Sequence, residues 1–212
     1  MSKRSLILYS SLTGNTEKVA LRFKKVFEKK GWACDIFKID KKTDVNHPPF
    51  DYSDYDFLCV GSYVLLGQPS EEIVKIMTCN PQSGHFGQPT REDIVRMAIA
   101  RNDPEFVPHP PERPPKGVHP AGRIVPGPKK GIVFVSYSGI HLGPKEAVPA
   151  LSTLELEIEH LKFQCIGQLA CPGKHGNNPG TDWWHGDLRQ RPDERDLQKA
   201  EIFLEEKIEE PG

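Results

Sequence analysis

The sequence predicts an α/β fold, a parallel sheet with helices on both faces. Three observations predict it. Short apolar runs recur at 5–10, 56–62, 131–138 and 163–171, as in strands buried on both sides. Segments with apolar residues at helical spacing lie between them. Strands and helices also alternate along the chain, as parallel pairing with helical crossovers demands.

The first strand is SLILYS (5–10), short and continuously apolar. A helix follows over 15–30, with Val19, Ala20, Phe23, Val26 and Phe27 on one stripe and Gly31 as its stop. ACDIFKI (33–39) alternates only weakly, but its place after that helix makes it a strand. A polar connection over 40–55 leads to the strand DFLCVGS (56–62). Ser70 then caps a helix whose first turn carries Glu71 and Glu72, favourable at the positive end of the helix dipole. The next strand is GIVFVSYS (131–138). A helix over 144–161 turns Ala147, Val148, Leu151, Leu154, Ile158 and Leu161 to one side. FQCIGQLAC (163–171) is the last strand. Asp193 opens a final helix with Leu197, Ala200, Leu204 and Ile208 inward.

One segment breaks this order. Residues 79–130 hold 11 of the 20 prolines, too many for a central sheet element. The whole chain, 1–212, therefore reads as one domain with an insertion at 79–130 between the third and fourth strands. Only TREDIVRMAIAR (90–101) looks helical there, with Thr90 and Asp93 as a capping pair. The segment reads either as a disordered surface loop or as an ordered excursion over the domain, and the helix, Phe86 and Phe106 favour the second.

Composition narrows the function. The formal net charge is −1, which gives no electrostatic case for nucleic acid or an anionic membrane. Apolar runs are too short to span a bilayer, and the first residues lack a signal-peptide core. The five cysteines show no CxxC spacing. Reduced thiols in a cytoplasm are the simplest expectation. His109 and His119 lack tight ligand spacing, and no Cys/His cluster points to a structural metal.

The chemistry concentrates where the first strand meets the first helix, at SSLTGNT (10–16). A helix start exposes unpaired N–H groups and a partial positive charge, so an anion docks there. Ser10, Ser11, Thr13 and Thr16 offer hydroxyls, Asn15 an amide, and Gly14 a close backbone approach. The loop contains no lysine. Neither GxxxxGK[ST] nor GxGxxG is present, which argues against a Mg-nucleotide triphosphate and against a dinucleotide fingerprint. A neutral nest of this kind suits a phosphate monoester.

Ser11-Leu12-Thr13-Gly14-Asn15-Thr16 resembles the phosphate loop of flavodoxins, Ser/Thr-x-Thr-Gly-x-Thr after the first strand. The resemblance implies a flavodoxin-like three-layer sandwich, a five-stranded parallel sheet of order 2-1-3-4-5. It implies FMN, with its phosphate in this loop. It also implies two flavin-contacting loops at the carboxyl ends of strands, where open α/β sheets bind ligands. One is 61–68, with Ser62, Tyr63 and Gly67. The other is 136–143, with Ser136, Tyr137, Ser138, Gly139, His141 and Gly143. Tyr63 and Tyr137 are candidates to stack on the ring, or simply to cover strand ends. Leu66 stands where many flavodoxins carry Trp. Trp183, Trp184, His185 and Asp187 follow the last strand and either wall the same pocket or pack against the last helix.

Two functions follow from the resemblance. One is a flavoprotein carrying electrons between a donor and an acceptor protein. The other is an FMN-dependent NAD(P)H reductase acting on a quinone or another small acceptor, so whether the chain is an enzyme stays open at this point. A homodimer is compatible with either, with 79–130 as a possible contact.

Overall fold

The computed structural model describes residues 2–78, 127–139, 142–174, 181–182 and 186–209. The expected insertion, with its helix at 90–101, falls mainly outside these residues. So do His141, Trp183, Trp184 and His185.

Strands β1 (Arg4–Tyr9), β2 (Ala33–Lys38), β3 (Phe57–Leu65), β5 (Lys129–Tyr137) and β6 (Phe163–Pro172) form a parallel sheet ordered β2-β1-β3-β5-β6. A two-residue strand, β4 (Gln68–Pro69), pairs antiparallel with the end of β3. With β4 set aside, this is the expected 2-1-3-4-5 order. Helix α1 (Asn15–Lys29) and helix α4 (Glu194–Glu209) cover one face. Helix α2 (Glu71–Thr78) and helix α3 (Val148–His160) cover the other.

The unbroken apolar runs are explained by these two layers. Ile7 points toward α1, packing with Phe23, Phe27 and Phe134, while Leu6 and Leu8 point the other way, with Ile73, Val133 and Leu154. All of these side chains are buried. Phe23 and Phe134 meet edge to face, with ring centroids 5.0 Å apart. Arg22 of α1 joins Glu194 and Glu201 of α4, at 2.8 and 3.1 Å.

Val148, expected on one face with Leu151, Leu154 and Ile158, is 57% exposed while those residues are buried, and the elements depart from expectation at three further places. First, β3 does not end at residue 62. It runs to Leu65, turns through Leu66 and Gly67, and returns as β4. Both turn residues have positive φ, 51° and 79°, as a two-residue type I′ hairpin turn requires. Second, the helix expected from 144 begins as a 3₁₀ turn over Gly143–Ala147 before α3 proper. Third, the loop after β6 contains a small hairpin, β7 (Thr181–Asp182) with β8 (Gly186–Asp187).

The last helix opens as expected, on a reciprocal cap. The Asp196 N–H donates to Asp193 Oδ1, and the Asp193 N–H donates to Asp196 Oδ2, each at 3.0 Å. This is the logic of a capping box with aspartate in both roles. Arg191 pairs with the buried Asp196 as well.

Candidate functional site

The carboxyl ends of β1, β3 and β5 surround a cavity of about 210 Å³. Its lining is Leu12, Thr13, Asn15, Tyr63, Val64, Leu65, Ser136, Tyr137, Ser138 and Lys174. Among these described residues there is no carboxylate and one cation. The loop at 10–16 and both expected flavin-contacting segments therefore meet in one place.

Local geometry explains why the loop ends where it does. Gly14 takes the N-cap position of α1 with φ 82° and contributes no side-chain cap. The first-turn N–H groups are thus left for another acceptor. Ser11 Oγ accepts only a long bond, 3.4 Å, from the Glu17 N–H. Ser11, Thr13 and Gly14 are half-buried, and Asn15 is buried.

The hydroxyls divide into two groups that sequence alone did not separate. Ser10, 2% exposed, turns toward α2 and bonds Ser70, with Ser62 at 3.4 Å. Ser62 Oγ also accepts from the Ser70 N–H at 2.8 Å, and Ser70 Oγ accepts from the Ile73 N–H at 3.4 Å. Ser10, Ser62 and Ser70 thereby tie the end of β1, the end of β3 and the start of α2 together. Thr16 is fully buried on the opposite face and shares a hydrogen bond with Ser136 at 2.8 Å. Thr13 lines the cavity and Ser11 lies beside it.

The two tyrosines differ in the same way. Tyr137 is 4% exposed and belongs to the core that holds α3. Tyr63 is half-buried and lines both this cavity and a neighbouring one of about 240 Å³. Burial, and then the nearby Glu72, raise the Tyr63 phenol above its ordinary value. It is protonated at neutral pH and can donate. Gly67 sits at the hairpin turn, close to Glu146 and Pro149. Gly139 and Gly143 close a turn through a bond from the Gly143 N–H to the Gly139 carbonyl, 3.1 Å.

Sequence inspection missed Lys174. It follows β6, distant in sequence from the loop, yet Asn15 Nδ2 donates to its carbonyl at 2.8 Å. Nothing in the local pattern near residue 174 signals this approach.

Residues 6–87 match the family model described as a flavodoxin domain. Solved structures extend the likeness over nearly the whole chain. Oxidised flavodoxin 2 from Bacillus cereus is 17% identical with TM-score 0.53, covering 95% of this chain and 94% of that one. The fold is flavodoxin-like. The flavodoxin from Streptococcus pneumonia TIGR4 is 16% identical with TM-score 0.53, covering 96% of each chain. A WrbA-like flavodoxin from Agrobacterium tumefaciens is 13% identical with TM-score 0.51, covering 96% of this chain and 93% of that one. At these identities the structural likeness is one of fold. No curated protein matches the chain.

The flavodoxin-domain match over residues 6–87 implies FMN as cofactor, and the residues present fit it. The helix start has no side-chain cap, hydroxyls stand at the mouth, and the described lining carries no carboxylate. Other chemistries find less support. Among the described residues no group of three His, Cys, Asp or Glu is placed to hold a metal. Burial pushes the thiols of Cys34 and Cys165 up to about 11 and that of Cys171 up to about 12. Cys59, fully buried, lies well above the ordinary range too. These cysteines are neutral thiols at pH 7, unsuited to nucleophilic attack.

Proposed function

We propose that this chain is an FMN-binding redox protein that transfers electrons between partner proteins. One observation carries the proposal: a cavity without a described carboxylate opens over the uncapped start of α1, between the carboxyl ends of the central strands. FMN, when bound, supplies one- and two-electron redox chemistry, and the protein supplies binding, orientation and access. Ser11, Thr13, Asn15 and the first-turn N–H groups of α1 hold the phosphate. Ser138 and Tyr63 meet the polar edge of the ring, while Leu12, Val64 and Leu65 offer it apolar surface. Ser10, Ser62 and Thr16 act from behind, fixing the walls through buried hydrogen bonds, while Ser136 both lines the cavity and bonds Thr16.

The rim supports a protein partner. Leu12 and Leu65 line the cavity and are 73% and 59% exposed, and Leu66 at the adjoining turn is 94% exposed. Exposed apolar side chains around a polar-walled opening suit brief contact with another protein surface. The free cysteines fit a reducing cytoplasm, and among the described residues no helix is long and apolar enough to cross a membrane.

A second reading, an FMN-dependent NAD(P)H reductase of a quinone or similar acceptor, draws on the neighbouring cavity. Leu12 and Tyr63 border both spaces, and Lys41 and Lys42 line the second beside Asp40 and Glu72. Anaerobic titration of the flavin-loaded chain separates the two. For a carrier, dithionite reduces the flavin and NADPH alone does so only slowly. Rapid reduction by NADPH, with turnover of a quinone, overturns the carrier reading. A folded chain that takes up no FMN overturns both.

A further inference from the structure

We propose that Lys174 supplies the positive charge missing from the 10–16 loop, and so makes the site select a phosphorylated flavin over an uncharged one. The inference rests on the FMN reading above. It comes from how the backbone at 173–174 is held. The Gly173 N–H donates to the Tyr137 carbonyl at 2.8 Å, and the Lys174 N–H donates to the Arg191 carbonyl at 3.0 Å. The Lys174 carbonyl accepts from Asn15 Nδ2 at 2.8 Å. Gly173 also presses on Asn15 so closely that a β-carbon there would lie 2.6 Å from Nδ2. The end of β6 is therefore fastened to the first turn of α1 and to the end of β5.

This fastening places Lys174 among the residues that line the cavity shared by Thr13 and Asn15. The side chain is exposed, and among the described residues its ammonium enters no ion pair. No described carboxylate lines the cavity to neutralise it. The chain as a whole has a formal net charge of −1, so long-range attraction adds little, and a local charge adds to what the uncapped helix start provides. A lysine on a flexible four-carbon stem can follow a phosphate dianion at the adjoining helix start. A charge-assisted hydrogen bond of this kind is roughly twice as strong as a neutral one. Phosphate loops of the GxxxxGK[ST] type carry their lysine within the loop. Here tertiary structure supplies it from the far end of the sheet.

The test is a titration of the full-length, flavin-free chain with FMN and with riboflavin, at low and high salt, followed by quenching of flavin fluorescence. Wild type, Lys174→Met and Lys174→Arg are compared. Lys174→Met is expected to lose about tenfold in FMN affinity, and most of its salt dependence, while riboflavin binding stays unchanged. Lys174→Arg is expected to keep most of the FMN affinity. Equal FMN affinity and salt dependence in wild type and Lys174→Met overturn the proposal. A parallel loss for FMN and riboflavin overturns it too, since that marks a packing role. Failure of wild type to bind FMN at all overturns instead the FMN reading on which it rests.

Discussion

Thr16 and Ser136 meet hydroxyl to hydroxyl at 2.8 Å in the interior, joining the first turn of α1 to the end of β5. Both side chains are buried, at 0% and 4% exposure. Thr13, three residues earlier, lines the cavity instead. The two threonines of one motif thus have different work, and single substitutions separate them. Thr16→Ala leaves Ser136 without this partner and is expected to cost about 1–2 kcal/mol of stability. Thr13→Ala is expected to leave stability unchanged and to weaken FMN by about 1.5–3 kcal/mol, the range for a hydrogen bond to a charged group. Urea midpoints and calorimetric FMN affinities of both variants check this. Equal destabilisation by the two contradicts the division.

That division marks the limit of what the sequence disclosed. The sheet was legible because Leu6, Ile7 and Leu8 must all be buried, and only a strand covered on both faces allows that. The loop was legible because Gly14 stands among hydroxyls at a strand-to-helix junction. Which hydroxyls face inward was not, since Ser10 and Ser11 look alike until β1 fixes their alternation. The hairpin was hidden because Leu66-Gly67 lacks the Asn-Gly signature of its turn type. Lys174 was hidden because its place depends on a contact with Asn15 that only tertiary packing creates.

The cap of α4 leads to a pH prediction. The backbone N–H of Asp196, first, and then the charge of Arg191 hold the Asp193 carboxyl below its usual value, against an opposing effect of burial. A carboxyl lowered in the folded state adds stability above its unfolded value, and that stability is lost as pH falls through the folded one. Asp193→Asn keeps a capping side chain and removes the charge. Wild type is expected to exceed Asp193→Asn by about 0.3–1 kcal/mol at neutral pH, the value of a charge at a helix start. The gap should begin to shrink as pH falls into the ordinary carboxyl range and go on shrinking toward the lowered folded value. Urea denaturation of both proteins from pH 7 to pH 3 measures it. A gap that persists unchanged in acid contradicts the assignment.

Leu66 holds φ 51° while being 94% exposed. A leucine in the left-handed region costs about 1–2 kcal/mol, and exposure of the side chain returns nothing to the fold. Strain kept at such a position motivates a functional reading, which the Leu66→Asn variant tests. Leu66→Asn creates the Asn-Gly pair that this turn favours. It is expected to raise stability by about 1 kcal/mol and to slow electron transfer to a protein acceptor by removing an apolar rim contact. Thermal midpoints and stopped-flow rates with a fixed acceptor report the two effects. Unchanged stability would show that the turn tolerates leucine without strain, and an unchanged rate would remove Leu66 from the docking rim.

Gly67 follows in the same turn, with φ 79°. A β-carbon there would have room, its nearest neighbours being Pro149 Cγ at 3.8 Å and the Glu146 carbonyl at 3.9 Å. Substitution therefore probes the backbone alone, without a steric clash. In flavodoxins a glycine of this loop lets its peptide reorient beside the flavin as the redox state changes. Glycine suits that motion because it occupies positive and negative φ at similar cost. Gly67→Ala is expected to lose about 1–2 kcal/mol from the positive-φ arrangement. Gly67→Asn, which tolerates that region better, should lose less. If the peptide responds to the flavin, Gly67→Ala will also shift the one-electron-reduced fraction seen midway through an anaerobic titration, by about tenfold in the equilibrium for each 1.4 kcal/mol. Affinity for oxidised FMN should change little. If instead stability falls while that fraction stays at the wild-type value in fully loaded protein, Gly67 serves only the turn between β3 and β4.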